Sequence, residues 1–276
     1  MKMLYLSLLL LLSTPFAGYA IIGGDTDQAD SEGIVLIALG DQSACTATKI
    51  APNLLITAAH CFDDSSEVVG FTTKQSNQEF KIVKLTTEEV FIHPSYAALG
   101  NENEYTESIK VQDIAIVKVS PSAEFEAVPT RELDFSEIAS GEKLSFYGYG
   151  CTKSLNDLEG YFPFRKMAKV DSLSEECLSE DQGIMTEFYQ DISSLIYKNN
   201  IVTPGKKRQS DSASLCLGDS GGPLIKDGKV VGINTLYTFK DITENGESET
   251  GISYLNLHAR LSMAQKWVLE TMSKLK

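Results

Sequence analysis

Short runs of β-type residues recur along most of this chain of 276 residues. They are rich in Val, Ile, Thr and aromatic side chains, and Gly, Pro, Asn or Asp bounds each one. Helical segments do not alternate with them as they would between parallel strands, so the pattern predicts an antiparallel sandwich or antiparallel barrels. The runs are Ile34–Leu39, Leu54–Thr57, Lys81–Leu85, Ile114–Val119, Leu144–Tyr147, Lys229–Asn234 and Gly251–Leu255.

The C-terminus follows a different pattern. Met263, Trp267 and Met272 have rough helical spacing, which predicts a helix over residues 262–276 with one face docked on the body. Ser262 is a candidate N-cap, because a serine hydroxyl accepts a hydrogen bond from the first turn of a helix. Residues 174–198 are compatible with one or two further helices.

The first twenty residues have the layout of a secretory signal peptide. Lys2 precedes the apolar run Met3–Leu12, and small residues including Ala17 and Ala20 follow it. We therefore expect residues 1–20 to be removed by cleavage after Ala20 or after Ala17. The apolar run is shorter than the roughly 20 residues that span a bilayer. The expected product is secreted, extracellular or periplasmic, without stable membrane insertion, and resides where disulfides can form.

Composition excludes several classes of partner. The chain has 24 Lys and Arg against 38 Asp and Glu, a formal net charge of −14, and no run rich in Lys and Arg. Such a chain is a poor ligand for nucleic acid and for anionic lipid. Its hydrophobic fraction of 42% is that of a folded domain, so disorder is excluded as well.

Three short segments carry reactive side chains. Ser220 lies in the glycine-rich segment Gly218–Pro223, where closely approaching backbone N–H groups can hold an oxyanion. A serine hydroxyl needs a base to become a nucleophile, and His60 follows a β-type run in a segment that ends with a cysteine. Asp113 opens an apolar strand, and its carboxylate can orient an imidazole. The order His, Asp, Ser is that of the chymotrypsin triad.

With these segments the chain resembles the trypsin/chymotrypsin family of serine endopeptidases. The resemblance extends over the whole chain after residue 20. It also implies the roles of the three reactive side chains. The matching stretches are Ile21–Gly24, Cys45, Thr57–Cys61, His93–Tyr96, Asp113–Val119, Gly148–Gly150 and Gly218–Pro223.

The resemblance implies an all-β fold of two six-stranded antiparallel β-barrels with the active site between them and a C-terminal α-helix. The peptidase domain would span residues 21–276, with one barrel over about 21–130, the other over about 131–260, and the helix over about 262–276. His60, Asp113 and Ser220 would be catalytic, and the N–H groups of Gly218 and Ser220 would form the oxyanion hole. No metal or cofactor is implied, and the implied partners are polypeptide substrates and protein inhibitors.

The resemblance also implies how activity is switched on. In the family a new N-terminus, here Ile21, pairs its ammonium with the acid beside the nucleophile, here Asp219. Ala20 precedes Ile21 where zymogens of the trypsin type carry Arg or Lys. Signal cleavage after Ala20 would expose Ile21 directly, whereas cleavage after Ala17 would leave three residues for another protease to remove.

The implied substrate pocket departs from that of trypsin. Counting back from Ser220 without gaps, the position at the pocket floor is Ser214, where trypsin-like members have Asp. A neutral floor predicts a preference for non-basic, small or medium apolar P1 residues, unless a loop shift brings Asp211 to that position. Tyr237, where the family often has Gly, would narrow the entrance or turn outward to solvent. The implied pocket residues are Ser214, Leu215, Thr235, Tyr237 and Gly251.

The chain has five cysteines, so they cannot all pair within it. By resemblance, Cys45 and Cys61 form the bridge that tethers the histidine loop. The usual partner of Cys216 lies downstream, where this chain has no cysteine, so a substitute Cys151–Cys216 bridge is expected. Cys177 is then left free.

Two other functions are compatible with part of the pattern. Gly218–Gly222 also fits the nucleophile elbow of α/β-hydrolases, in which Asp241 and His258 would complete the site, but that elbow must open a helix and Pro223 introduces another β-type run. The alternative of another class is a catalytically inactive trypsin-fold binding protein, although His60, Asp113 and Ser220 are all retained.

Overall fold

The computed structural model describes residues 21–26, 33–39, 43–63, 68–74, 80–99, 110–120, 122–150, 166–174, 195–205, 209–238 and 255–275. The predicted signal peptide, Cys151, Cys177, Asp241 and Gly251 lie outside them. The described strands are β1 Asp25–Thr26, β2 Ile34–Leu39, β3 Ser43–Ala51, β4 Leu54–Thr57, β5 Val68–Lys74, β6 Phe80–Lys84, β7 Thr87–Ile92, β8 Ala115–Val119, β9 Lys143–Gly148, β10 Lys166–Asp171, β11 Asn200–Pro204, β12 Pro223–Lys226, β13 Lys229–Thr238 and β14 Leu255–Arg260.

The helices whose bounds fall within the described residues are a 3₁₀ helix, Ala59–Phe62, and the α-helices α1 Pro94–Ala97, α2 Ala123–Glu126 and α3 Leu261–Lys274. Residues 195–199 are helical as well. Among the described helices, none combines the length and the apolar character that a membrane span requires.

The first sheet is antiparallel throughout and has the order β6-β5-β2-β3-β4-β8-β7. Its two end strands, β6 and β7, are separated in the chain by only Leu85 and Thr86. Such a connection reaches no more than roughly 11 Å, so the sheet must curl until its ends approach each other. Apolar side chains fill the curl, and the rings of Phe71 and Phe125 meet edge to face with centroids 5.3 Å apart.

The second sheet is also antiparallel, in the order β1-β10-β9-β12-β13-β14-β11. The N–H of Leu173, just after β10, donates to the carbonyl of Val202 in β11 at 2.8 Å, which brings together regions far apart in the strand order. This sheet therefore curls as well. Its core includes Phe146, Leu224 and the side chain of Ile21.

The predicted fold class is confirmed: two curled antiparallel sheets and a C-terminal helix. Each described sheet has seven strands where six were expected. In the first sheet, one stretch of chain pairs with β5 before Leu85 and Thr86 and with β8 after them. It is therefore divided into two strands, β6 and β7. In the second, the two-residue β1 is added at one edge, opposite Lys166 and Met167.

The C-terminal helix is confirmed, but its predicted N-cap is wrong. Helix α3 begins at Leu261, with Arg260 at the cap position and no side-chain cap. Ser262 lies within the first turn, and its hydroxyl has no hydrogen-bond partner in the described part of the chain. Met263 is 44% exposed, so it does not share the docked face. The buried positions follow a spacing of three and four residues: Leu261, Ala264, Val268 and Thr271.

Candidate active site

His60 and Asp113 are brought together by strand pairing. His60 lies in the 3₁₀ helix that follows β4, and Asp113 precedes β8. Strands β4 and β8 pair with Thr57 opposite Ala115, so the two side chains are at the same edge of the first sheet. One carboxylate oxygen of Asp113 is 2.6 Å from His60 Nδ1, and the other accepts the His60 backbone N–H at 2.9 Å. These contacts fix both the ring and its backbone.

A third group reaches Asp113 from the second sheet. The hydroxyl of Thr235, in β13, donates to the same carboxylate oxygen that faces His60. Sequence reasoning assigned Thr235 only to the substrate pocket and missed this contact. The local sequence gives no sign of this contact, because β13 and the segment before β8 are more than a hundred residues apart. Asp113 itself is only 1% exposed, so its charge is stabilised by these three donors and not by water.

The two partners shift each other's protonation. Burial lowers the pKa of His60, but the charge and hydrogen bond of Asp113, with a smaller contribution from Asp63, raise it above the usual 6.5. Burial raises the pKa of Asp113, but the neighbouring imidazole and the hydrogen bonds that the carboxylate accepts hold it below its usual range. The pair therefore consists of a charged acid and a ring with increased basicity.

The Ser220 turn lies directly against the His60 segment. Gly221 has a φ of +80°, and a Cβ at this position would collide with the Thr57 hydroxyl and with the backbone of Thr46. Only glycine permits this close approach. The Ser220 carbonyl accepts the Thr46 N–H at 2.8 Å, and the Gly221 N–H donates to the Asn234 carbonyl, also at 2.8 Å. The half-buried Ser220 is thus held between the two sheets.

The predicted oxyanion donors lie in the same turn. Gly218 has a φ of +91°, a conformation that favours glycine. The carbonyl of Cys216 accepts the Asp219 N–H at 3.0 Å, which closes the turn. In the described part of the chain, neither the Gly218 N–H nor the Ser220 N–H donates a hydrogen bond. Both N–H groups are therefore available as hydrogen-bond donors.

Asp219 is fully buried and faces Ile21. Its carboxylate accepts the N–H groups of Gly150 at 2.8 Å and Cys216 at 2.9 Å, and the backbone N–H of Ile21 also donates to it. Burial nevertheless raises the pKa of Asp219 to about 7, because three amide donors offset the lost hydration only in part. With residue 20 attached, the Ile21 nitrogen is an amide and brings no positive charge.

The segment predicted to floor the pocket is buried. Ser214 exchanges two backbone hydrogen bonds with Ile22, at 2.9 and 3.0 Å. The side chain of Asn256, in β14, accepts the Leu215 N–H and donates to the Ala213 carbonyl, both at 2.9 Å. The side-chain amide of Asn256 therefore forms hydrogen bonds to the backbone of the residues on both sides of Ser214. Sequence reasoning missed Asn256, for which the only signal is an amide inside an apolar strand.

Tyr237 is half-buried and turns inward. It lies opposite Asn256 across the β13–β14 pair, and it packs against the apolar cluster that includes Ala213 and Leu215. Burial, with a contribution from the charge of Asp219, raises the pKa of the Tyr237 phenol to about 12. Tyr237 therefore packs toward residues predicted to line the pocket and does not turn outward to solvent.

His258 lies in the interior of the second sheet. His258 is fully buried in β14, with Nδ1 2.8 Å from the Asn234 side-chain oxygen and Nε2 3.0 Å from the Thr203 hydroxyl. Burial lowers its pKa to about 3. Both ring nitrogens are occupied, so His258 does not serve as the base of the α/β-hydrolase alternative. His93 caps helix α1 by accepting the Ser95 N–H.

The chain has three histidines, and we expect them to titrate in three separate ranges. In an NMR titration of the folded protein, the ring protons of His258 should stay constant until pH falls to about 3. The pKa of His93 should lie below 6.5 because of burial, and that of His60 above 6.5. Asp113→Asn should lower the pKa of His60, because only the smaller contribution of Asp63 then opposes the effect of burial. An unchanged value in this variant would contradict the assigned cause.

The Cys45–Cys61 disulfide is confirmed. It joins β3 to the 3₁₀ helix and so anchors the residue next to His60. The sulfur atoms of these cysteines and a nitrogen of His60 lie within 4.8 Å of one another, but sulfurs bonded to each other are not the thiolates that bind zinc. Cys216 is also disulfide-bonded, while its predicted partner Cys151 lies outside the described residues.

Comparisons with known proteins agree with this arrangement. The sequence model of the Trypsin family matches residues 21–268. A protein named trypsin, from Saccharopolyspora erythraea, is 23% identical over 221 residues, which are 78% of this chain and 86% of that protein.

Two solved structures have the same fold. The scabies mite inactivated protease paralogue S-D1 superposes with a TM-score of 0.66 at 15% identity, covering 92% of this chain and 98% of that one. Mouse neuropsin, a serine protease, superposes with a TM-score of 0.64 at 20% identity, covering 91% of this chain and all of that one. At these identities the likeness establishes the fold alone.

Proposed function

Because the chain belongs to the trypsin family of serine endopeptidases, we propose that it hydrolyses peptide bonds with Ser220, His60 and Asp113. Ser220 attacks the scissile carbonyl while His60 takes its proton, and His60 then protonates the leaving amine. Water then attacks the acyl-enzyme while His60 takes its proton, and His60 returns that proton to Ser220 as the acid product leaves. The main support is the pairing of the half-buried His60 with the buried Asp113, beside the glycine-rich turn that bears Ser220.

The backbone of the turn supplies the electrostatic part of the mechanism. The N–H groups of Gly218 and Ser220 bind the oxyanion of the tetrahedral intermediate, where removal of one donor typically costs about 10²- to 10³-fold in kcat. Asp113 stays charged and stabilises the imidazolium that forms on His60. The hydroxyl of Thr235 supports this role because it satisfies the carboxylate oxygen nearest the ring.

The substrate is a polypeptide with a non-basic P1 residue. Ser214 offers no negative charge at the proposed pocket floor, and the ring of Tyr237 packs against the cluster that includes Leu215. We therefore propose small or medium apolar P1 residues. We also propose that the enzyme is secreted, extracellular or periplasmic, and that protein inhibitors bind in place of substrate.

Digestion of a peptide library by the chain beginning at Ile21 tests this function. Cleavage of internal bonds, absent in Ser220→Ala, is the expected result. Cleavage confined to bonds after Lys or Arg would contradict the proposed pocket, while cleavage that persists in Ser220→Ala would contradict the proposed nucleophile.

Tyr237 gives the specificity a separate test. Tyr237→Gly is expected to raise kcat/KM for Phe or Leu at P1, relative to Ala, by about tenfold or more, because a few added carbon atoms are discriminated at this level. Tyr237→Phe retains the ring and serves as the matched control, with an unchanged profile. Equal profiles for the glycine variant and the wild type would show that the ring does not limit P1 size.

A second candidate function is binding without cleavage. The inward position of Tyr237 favours it, because a ring turned toward the proposed pocket leaves less room for a P1 side chain. A protein of this kind would bind peptides or proteins with no turnover. The peptide library separates the two, since only an enzyme yields new termini.

A further inference from the structure

Thr46 connects the first sheet to the turn that bears Ser220. It follows Cys45 in β3 and is fully buried. Its carbonyl accepts the Thr57 hydroxyl at 2.8 Å, so it is tied to the strand that leads to His60. Its N–H donates to the carbonyl of Ser220, also at 2.8 Å. The backbone of Thr46 thus fixes the carbonyl of Ser220, the residue whose N–H is one of the two proposed oxyanion donors.

The side chain of Thr46 holds the other donor. Its hydroxyl donates to the carbonyl of Gly218 at 2.8 Å and accepts the N–H of Tyr149 at 3.0 Å. One buried residue of the first sheet therefore contacts the carbonyls of both Gly218 and Ser220. The hydroxyl thus donates one hydrogen bond and accepts another, both to the backbone.

This contact bears on the direction of the Gly218 N–H. Gly218 has no Cβ and a positive φ, so its own conformational preferences restrain it weakly. The peptide between Gly218 and Asp219 is held on both sides, by Thr46 at its carbonyl and by the carbonyl of Cys216 at its N–H. Fixing this peptide restricts rotation about the backbone bonds of Gly218, and this restricts the direction in which the Gly218 N–H points.

We propose that the Thr46 hydroxyl is a positioning group that orients the oxyanion hole through the Gly218 carbonyl. Thr46 does not touch the substrate, and it acts only through Gly218 and Ser220. The inference rests on the proposed function, because an oxyanion hole matters only if Ser220 forms an acyl-enzyme. Preorganised donors stabilise a transition state because they need no reorientation during the reaction.

The test compares Thr46→Val with a matched control, Thr48→Val. Thr48 lies two residues further along β3 and is equally buried, but its hydroxyl has no hydrogen-bond partner in the described part of the chain. The probe is p-nitrophenyl acetate, whose burst phase gives the acylation rate constant and the half-saturating ester concentration. Thr46→Val should lower the rate constant about tenfold with an unchanged half-saturating concentration, and Thr48→Val should change neither.

A second pair of variants isolates the hydroxyl even if Thr46→Val fails to fold. Thr46→Ser and Thr46→Ala both lack the methyl group and differ only in the hydroxyl. We expect Thr46→Ser to retain most of the acylation rate and Thr46→Ala to lose it. The rising limb of the pH–rate profile should stay in place in both, because the His60–Asp113 pair is untouched.

Equal acylation rates for Thr46→Ser and Thr46→Ala would overturn the inference. So would a loss in Thr46→Val that appears only as a higher half-saturating concentration, or a shift of the pH profile. Failure of the proposed function is distinguishable, because the wild type would then give no burst at all.

Discussion

Ser220→Ala is expected to lower kcat/KM by about 10⁵- to 10⁶-fold, and His60→Ala by a similar factor. The serine hydroxyl is the bond-forming group, and it is too weak a nucleophile without the imidazole. The kcat/KM of the double variant should lie within a few-fold of that of each single variant, because each substitution alone disables the same step. The measurement is peptide hydrolysis with the protein concentration set by absorbance and folding checked by circular dichroism.

His93→Ala is the matched control for the histidine variant. His93 is also partly buried, but its ring caps helix α1 and packs against Trp267, with ring centroids 5.0 Å apart. Its loss should weaken folding modestly and leave kcat/KM within a few-fold. Clearly additive losses in the Ser220 and His60 variants would contradict a shared mechanism.

A chain whose Ile21 nitrogen is still an amide is expected to be at least about 100-fold less active than the chain that begins at Ile21. Asp219 is fully buried and receives only neutral N–H donors while residue 20 is attached. A free Ile21 ammonium in the same place would supply the missing charge, since buried charges are stable only when paired. The same turn carries Gly218 and Ser220, so pairing at Asp219 would shape the oxyanion hole.

The matched comparison is a chain beginning at Ile21 against one that retains Ala20. Asp219→Asn in the chain beginning at Ile21 should reproduce the low activity of the extended one. Equal activity of the extended and trimmed chains would contradict activation by the Ile21 amine.

The pH dependence of stability gives an independent view of the same pair. In the extended chain, the pKa of Asp219 rises from 3.8 to about 7 on folding, so folding favours the protonated carboxyl. The stability that this group contributes is fully present below pH 3.8 and is lost as pH rises through about 7. In a Ser220→Ala background, the melting temperature of the extended chain should therefore fall relative to that of the trimmed chain over this range.

The parts of the molecule that sequence predicts well are those encoded by neighbouring residues. Strands β2 and β4 have the predicted bounds, because their apolar runs are short and bounded by turn residues. The bridge between Cys45 and Cys61 follows from the family resemblance. His60 and Asp113 meet because each flanks a strand, and the two strands are paired.

Contacts between distant strands were not predictable in the same way. Thr235 contacts Asp113 across the two sheets, and the local sequence around each residue does not reveal the other. Asn256 and His258 alternate with leucines in β14, a pattern that indicates a solvent-facing polar side. Both are buried, because partners from other strands satisfy them, among them Thr203 and Asn234.

The most direct test of the central claim is the reaction of the chain beginning at Ile21 with a fluorophosphonate probe, followed by intact-mass and peptide mass spectrometry. We expect one adduct per molecule, located on Ser220, absent in Ser220→Ala and formed far more slowly in His60→Ala. A wild-type chain that remains unlabelled, or an adduct that persists in Ser220→Ala, would contradict the assignment of Ser220 as the nucleophile.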